Sequence, residues 1–215
     1  MSERLVIPVA LWGSKAPAHR ISCVYMMHNE KNLITGSLDG QVCIWDVEQD
    51  PVLSIVPRCM IFGHTAPVLC IADADYTNMN TFVTSSENGE MCLWDVGDGQ
   101  CLETRKTQYT HTFMQSFKVS AKDCRLFCVG HYAEILVIDP KTFSVKLRLS
   151  SKDQPDWITS IHILQPPTLN SIVIIGLSII GIVRIWTITD ETSKSQSKYE
   201  LKPDTQRWVG LIDQI

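Results

Sequence analysis

The chain repeats one pattern four times, and this repeat constrains its fold more than any other feature of the sequence. In each copy an apolar run reaches a turn, and a second apolar run then ends on a large side chain, at Trp45, Trp94, Ile138 or Trp186. These positions are 49, 44 and 48 residues apart. Such a period is typical of architectures in which each repeat is one supersecondary unit that packs on its neighbours.

Local signals in the copies favour antiparallel strands joined by a tight turn. Asp-Gly at residues 39–40 and Asn-Gly at residues 88–89 stand between apolar runs, and these dipeptides are the strongest short hairpin signals. The strand after the first turn contains VCIW at residues 42–45, which is apolar on both of its faces. We therefore expect this strand to be covered on both sides.

A further strand candidate precedes each hairpin, at residues 21–25, 68–72, 112–117 and 158–163. A fourth strand can follow each hairpin, and four strands in a unit of about 45 residues make the blade of a β-propeller. The sequence thus predicts an all-β fold, a partial propeller over residues 1–188, followed by a polar linker or truncated tail at residues 189–215. The predicted blades lie near residues 19–60, 61–108, 109–150 and 155–188.

Short motifs in the first two copies resemble those of the WD-repeat family. Trp-Asp occurs at residues 45–46 and 94–95, and Gly-His at residues 63–64 stands 30 residues before Trp94. The resemblance implies that each blade holds a hydrogen-bonded network of a His, a Ser or Thr, the Trp and an acid in the turn. These residues would brace the frame of the protein.

The resemblance assigns one such network to each blade, and the sets become less complete along the chain. In blade 2 an asparagine replaces the turn acid, and in blade 3 glycine, tyrosine and isoleucine occupy the other places. The assigned residues are His19, Ser37, Asp39 and Trp45 in blade 1, His64, Ser86, Asn88 and Trp94 in blade 2, His111 (with Gly130, Tyr132 and Ile138) in blade 3, and Trp186 with Ser178 in blade 4.

The same residue types could suggest a hydrolase, since His64, Ser86 and Asp95 contain the side chains of a catalytic triad. A triad is a single constellation with an exposed nucleophile and an oxyanion hole. Here the residue types recur from blade to blade, as a structural device does. We therefore interpret them as partners for buried polar groups and expect no catalytic residues.

Seven blades at this spacing would need roughly 330 residues, and this chain has room for four. We expect these four to be part of a larger, seven-bladed ring. The chain would then be a fragment, a truncated isoform or an incomplete gene model, unless a partner or a second copy completes the ring. Residues 5–12 form a strand candidate that could close such a ring from outside.

Composition excludes several classes of protein. With 45% hydrophobic residues the chain can build a packed core, and a formal net charge of −4 argues against a nucleic-acid footprint over the whole domain. The eight cysteines contain no Cys-x-x-Cys pair, so we expect reduced, buried thiols in the cytosol and neither metal nor cofactor. The apolar stretch at residues 172–186 is too short for a membrane helix and predicts two buried strands joined by a turn.

Six segments resemble the N-terminal propeller of the rabconnectin-3 beta family more specifically. They occur in order at residues 10–22, 62–66, 86–103, 110–112, 130–142 and 155–158. This resemblance implies a cytosolic scaffold that pairs with the rabconnectin alpha subunit and contacts subunits of the vacuolar-type proton ATPase. It also implies a peripheral location on intracellular or synaptic vesicles and a role in vesicle acidification.

Other functions remain open on the sequence alone. The chain could be a WD-repeat adaptor of another complex, an enzyme on a propeller frame, or an RNA binder. Trp157 is a candidate partner contact, since tryptophan is common in binding hot spots, or alternatively a core residue between blades. The RNA hypothesis depends on four basic residues: Lys141, Lys146, Arg148 and Lys152.

Overall fold

The computed structural model describes residues 19–49, 52–74, 80–120, 123–150, 156–165 and 171–188. Within these ranges the regular secondary structure consists of fifteen β-strands in four antiparallel sheets, which confirms the predicted all-β class. Blade 1 consists of β1 (Ile21–Met26), β2 (Asn32–Ser37), β3 (Gln41–Glu48) and β4 (Ser54–Phe62). Blade 2 consists of β5 (Val68–Asp73), β6 (Thr81–Ser86), β7 (Glu90–Asp95) and β8 (Cys101–Lys106).

The second half of the chain continues the same order. Blade 3 consists of β9 (His111–Ser120), β10 (Asp123–Gly130), β11 (Tyr132–Ile138) and β12 (Val145–Ser150). Blade 4 has three strands among the described residues, β13 (Ile158–Leu164), β14 (Ile172–Ser178) and β15 (Val183–Ile188). The boundary predicted between residues 60 and 61 falls inside β4, because that strand pairs with β3 as far as Phe62. Residues 1–18 and 189–215 lie outside the described residues.

The hairpin turns form where the Asp-Gly and Asn-Gly pairs predicted them. Gly40 and Gly89 have φ angles of +79° and +82°, a conformation that glycine adopts without steric cost. Space is also limited at Gly40, because a Cβ atom there would lie 2.6 Å from the carbonyl oxygen of His64. Glycine therefore lets the turn of blade 1 approach the chain that enters blade 2.

The core of the protein lies between neighbouring blades. The face that carries Trp94, Ile138 or Trp186 packs on the preceding blade, and the opposite faces of blades 1, 2 and 3 pack on the following blade. Between blades 1 and 2, for example, Ile34 and Ile44 of the first sheet meet Trp94 of the second. Both faces of blades 2 and 3 are thus covered by neighbouring blades, which explains why β7 contains a continuous apolar run.

The first strands of the four blades stand side by side around one cavity. β1 contacts β5, β5 contacts β9, and β9 contacts β13. Residues of all four strands line a cavity of about 470 Å³. Sheets that meet along their first strands around a shared axis form the frame of a propeller.

The stretch at residues 172–186 forms β14, a turn and β15, as predicted. In the part of the chain that the structure describes, no helix is long and apolar enough to span a bilayer.

The face of blade 1 that is turned away from blade 2 is more exposed than the face between them. Val24 and Met26 of β1 are 61% and 45% exposed, whereas their neighbours Cys23 and Tyr25 pack against the core between blades 1 and 2. The predicted ring of seven blades stays a prediction.

Candidate functional site

A buried polar network in blade 2 connects two strands with the segment that precedes β5. The side chain of His64, just before β5, places Nε2 2.6 Å from Oγ1 of Thr84 in β6. The indole N–H of Trp94 in β7 donates to the same oxygen over 2.8 Å. Because Trp94 and Thr84 are fully buried, these bonds provide the partners that buried polar groups require.

Burial keeps the imidazole of this network neutral. It lowers the pKa of His64 to about 4, although the carboxylate of Glu90 acts in the opposite direction. Glu90 Oε2 lies 3.9 Å from Nδ1 of His64, which favours a proton on Nδ1. Nε2 then accepts a hydrogen bond from Thr84, and Thr84 accepts one from Trp94.

Glu90 is a part of this site that the sequence analysis missed. Its carboxylate accepts hydrogen bonds from the backbone N–H and the hydroxyl of Thr65, both over 3.2 Å, and from the amide of Asn88. Burial alone would raise the pKa of Glu90, but these hydrogen bonds outweigh burial and lower it. The available signal was a charged residue at the start of an otherwise apolar strand.

Ser86 and Ser37 make other contacts than the expected ones to the histidine and the tryptophan of their blades. Ser86 Oγ donates to Oδ1 of Asn88 over 2.8 Å, and Ser37 Oγ accepts from the backbone N–H of Asp39 and Gln41. Both serines therefore bind the hairpin turn. The hydroxyl that joins the histidine to the tryptophan belongs to the threonine two residues earlier.

Blade 1 shows this arrangement with different surroundings. His19 Nε2 lies 2.8 Å from Oγ1 of Thr35, and the indole N–H of Trp45 donates to that oxygen over 2.8 Å. Asp39 instead forms an ion pair with Arg20 at 2.7 Å on the surface. Trp45 is only half-buried, whereas Trp94 is fully buried.

Blade 3 retains the histidine and replaces its partners. His111 Nδ1 lies 2.6 Å from the hydroxyl of Tyr132, which occupies the turn position of Asn88. Cys128 and Ile138 occupy the positions of Thr84 and Trp94 in the strand register. Burial lowers the pKa of His111 to about 4 and raises that of Tyr132 well above its usual range.

Blade 4 keeps the tryptophan without a hydroxyl partner in β14. Trp186 lies against Gly176, where a Cβ atom would come within 2.8 Å of the indole ring. Ser178 Oγ accepts the backbone N–H of Ile182 and thus binds the turn, as Ser37 does in blade 1.

One backbone hydrogen bond recurs in all four blades. It lies at the end of the molecule that carries the turns between the second and third strands, and we call this end the turn end. In each case the first turn residue donates its N–H to a carbonyl oxygen in the segment that enters the blade. The four bonds are Leu38 to Arg20 (2.9 Å), Glu87 to Pro67 (2.9 Å), His131 to Thr110 (3.3 Å) and Ile179 to Trp157 (2.8 Å).

The side chains at these equivalent positions differ from blade to blade. In blade 4 they form an exposed apolar group, the Trp157 patch, which consists of Trp157, Ile179 and Ile180 with exposed fractions of 47%, 62% and 61%. The indole of Trp157 stacks on the ring of His131 from blade 3, with centroids 5.1 Å apart. The structure thus places Trp157 on the surface rather than in a core between blades.

Comparison with known proteins agrees with this architecture. Residues 13–46 and 56–95 match the family described as WD domain, G-beta repeat. The β-propeller domain of Cps50 (Swd1) from Myceliophteria thermophila has the same fold, with a TM-score of 0.56 over 89% of this chain and 75% of that chain at 11% identity. The chain thus contains WD40 repeats and has a β-propeller fold.

The chain also resembles proteins that are named for WD repeats. Over 210 residues the chain is 34% identical to WD repeat-containing protein 72 of Homo sapiens and of Mus musculus. The match covers 95% of this chain and 19% of either relative, so the chain spans about a fifth of their length.

The triad-like residues of the WD40 repeat serve three separate structural contacts. His64 is bound to Thr84, and Ser86 is bound to the turn. Asp95 accepts the backbone N–H of Gly97 in the next turn over 2.6 Å. The geometry therefore supports the structural interpretation of these residues.

Two of the four basic residues considered for RNA binding are paired with acidic residues of the same blade. Arg148 Nη1 donates to Glu134 Oε2 over 2.8 Å, and Lys146 lies 3.7 Å from the carboxylate of Asp139. Lys152 lies outside the described residues. Charges that are neutralised within the blade make a poor track for a phosphate backbone.

Proposed function

We propose that this chain is a non-catalytic protein-interaction scaffold. The observation that carries the proposal is the hydrogen bond repeated at the four turns, which fixes the backbone while the side chains differ. A rigid frame that presents variable loops is suited to recognition, because little order has to be created on binding.

The Trp157 patch is the proposed contact surface. Its backbone is held at two points, since Ile179 N–H donates to the carbonyl oxygen of Trp157 and Ile180 N–H donates to the carboxylate of Asp156 over 3.4 Å. An aromatic and two aliphatic side chains thus stand exposed on a fixed backbone. Buried aromatic anchors dominate the binding energy of many interfaces.

The resemblance of six segments to the rabconnectin-3 beta family supports a finer proposal about partners. The full-length protein would bind the rabconnectin alpha subunit and subunits of the vacuolar-type proton ATPase. It would act in the cytoplasm, peripherally on intracellular or synaptic vesicles, and support assembly of the pump and vesicle acidification. The 34% identity to WD repeat-containing protein 72 supports a WD-repeat adaptor more generally.

A matched pair of double variants tests the surface. Ile179→Ser/Ile180→Ser removes the exposed aliphatic side chains of the patch. Val52→Ser/Leu53→Ser removes two aliphatic side chains of blade 1 that are 74% and 65% exposed; they lie in the connection between β3 and β4, at the end of that blade opposite its hairpin turn. Each full-length variant would be used to capture the alpha subunit and pump subunits from cell extracts.

We expect the patch variant to capture about tenfold less of these partners and the control variant to match the parent protein. Equal capture by all three proteins would refute the patch as the contact surface. If the parent protein captures neither the alpha subunit nor the pump, the rabconnectin proposal is wrong. Capture of other proteins through the patch would then indicate an adaptor of another complex.

A further inference from the structure

Two cysteines of blade 2 lie close together on neighbouring strands. In the register of β7 and β8, Cys92 is opposite Thr104 and Trp94 is opposite Cys101, with a bulge between Leu93 and Trp94. Cys92 and Cys101 both contact the core between blades 1 and 2, so they lie diagonally on the same face of the sheet. The two thiols lie close enough for each to shift the pKa of the other.

The two thiols differ in access and acidity. Cys92 is 2% exposed, whereas Cys101 is half-buried at the start of β8, the outermost strand of the blade. The neighbouring Cys92 thiol lowers the pKa of Cys101 against the effect of burial. The neighbouring Cys101 thiol, together with burial, raises the pKa of Cys92. Cys101 is thus the thiol that ionises and that a small oxidant can reach.

Three other cysteines lack this combination of access and lowered pKa. Burial raises the pKa of Cys43 to about 12, and it also raises the pKa of Cys59 and Cys23, which are half-buried. A thiol with a raised pKa stays protonated at neutral pH and reacts slowly.

We propose that Cys101 and Cys92 form a peroxide-sensitive modification site that closes to a disulfide within blade 2. The Cys101 thiolate attacks one oxygen of hydrogen peroxide, the O–O bond breaks, and sulfenic acid and hydroxide form. The thiol of Cys92 then attacks the Cys101 sulfur, an S–S bond forms, and the hydroxyl group leaves with the thiol proton as water. The peroxide is reduced by two electrons and the two thiols are oxidised by two.

This site adjoins the polar network of the blade. Sγ of Cys92 lies 3.4 Å from Oγ1 of Thr104 and 4.0 Å from Nδ1 of His64. A bond to Cys101 would draw this sulfur towards β8. Oxidation would therefore alter the surroundings of His64.

Peptide mapping of the peroxide-treated full chain tests the proposal. After hydrogen peroxide treatment and blocking of free thiols, mass spectrometry should find one linked peptide pair that contains Cys92 and Cys101. Cys59→Ser is the matched control, because Cys59 is a half-buried cysteine that packs against the same core. We expect this variant to form the linkage at the parental rate, and Cys101→Ser to lose thiols about tenfold more slowly.

A second variant distinguishes the two steps. Cys92→Ser should stop at the sulfenic acid of Cys101, which dimedone traps as a covalent adduct. Three results would overturn the proposal: over-oxidised Cys101 without a linked pair in the parent, a linkage of Cys101 to Cys59, or unchanged thiol loss in Cys101→Ser. The parental peptide map decides the matter even if Cys92→Ser fails to fold.

Discussion

Blades 2 and 3 have the same strand order and, up to a shift beside the turn of blade 3, the same hairpin register, but they fill the same interior positions differently. Blade 2 places Thr84 and Trp94 around a neutral histidine, whereas blade 3 places Cys128 and Ile138 there. Both sets are buried against the preceding blade. The fold therefore accepts either apolar side chains or hydrogen-bonded polar side chains at these positions, provided that they fill the volume between the sheets.

The histidine is the feature that both blades retain. His64 has a hydroxyl partner at Nε2, while His111 has its phenol partner at Nδ1, and its Nε2 is buried without a hydrogen-bond partner among the described residues. Blade 3 thus keeps a buried imidazole of which one nitrogen has no hydrogen-bond partner among the described residues.

The largest effect should come from the large side chains themselves. Trp94→Ala should lower the free energy of unfolding by about 4 kcal/mol, and Ile138→Ala by about 3 kcal/mol, because each leaves a cavity in a core between blades. Urea denaturation followed by circular dichroism measures both values. If Ile138→Ala changes stability no more than a surface substitution does, the two positions are not equivalent.

The second effect concerns pH. Both buried histidines have folded-state pKa values of about 4, below the value of about 6.5 expected in the unfolded chain. The unfolded state thus binds more protons between these values, so stability is full above about pH 6.5 and falls as the pH drops towards 4. Each histidine should contribute about 3 kcal/mol to this loss.

Urea unfolding at about pH 7 and about pH 4 would measure this loss. His64→Gln and His111→Gln should each flatten the profile by a similar amount. His162→Gln is the control, since His162 is an exposed histidine in β13, and its profile should match that of the parent. A steep profile that survives in both buried-site variants would place the pH sensitivity elsewhere.

The smallest effect is a gain in blade 3. Cys128→Thr would introduce the hydroxyl that Thr84 provides in blade 2, and that hydroxyl can bind the unpartnered Nε2 of His111. We expect Cys128→Thr to be about 1 kcal/mol more stable than Cys128→Val, which has a similar shape and no hydroxyl. Equal stability of the two variants would mean that the blade 2 geometry does not transfer to blade 3.

The sequence predicted the strands and turns well, because their signals are local. Apolar runs bounded by Asp-Gly and Asn-Gly fix a hairpin within about ten residues. The strand candidates at residues 21–25, 68–72, 112–117 and 158–163 correspond to β1, β5, β9 and β13. The fold class followed from the repeat of this local pattern.

The polar network was harder to predict because two hydroxyls compete for it. Thr84 and Ser86 are two residues apart on β6 and so point to the same face. Only the strand register, which places Phe82 opposite Trp94, shows that Thr84 is the hydroxyl within reach of the indole. The role of Glu90 likewise depends on the position of Thr65 in another segment.

The bond repeated at the four turns has a consequence for how such a surface can diversify. It uses main-chain atoms only, so exchanging the side chain at one tip leaves the geometry of that tip and of the other three in place. The side chains at the four turns can then change independently of one another in evolution. A library randomised at residues 38, 87, 131 and 179 should yield mostly folded members, in the way that antibody loops vary on a constant framework.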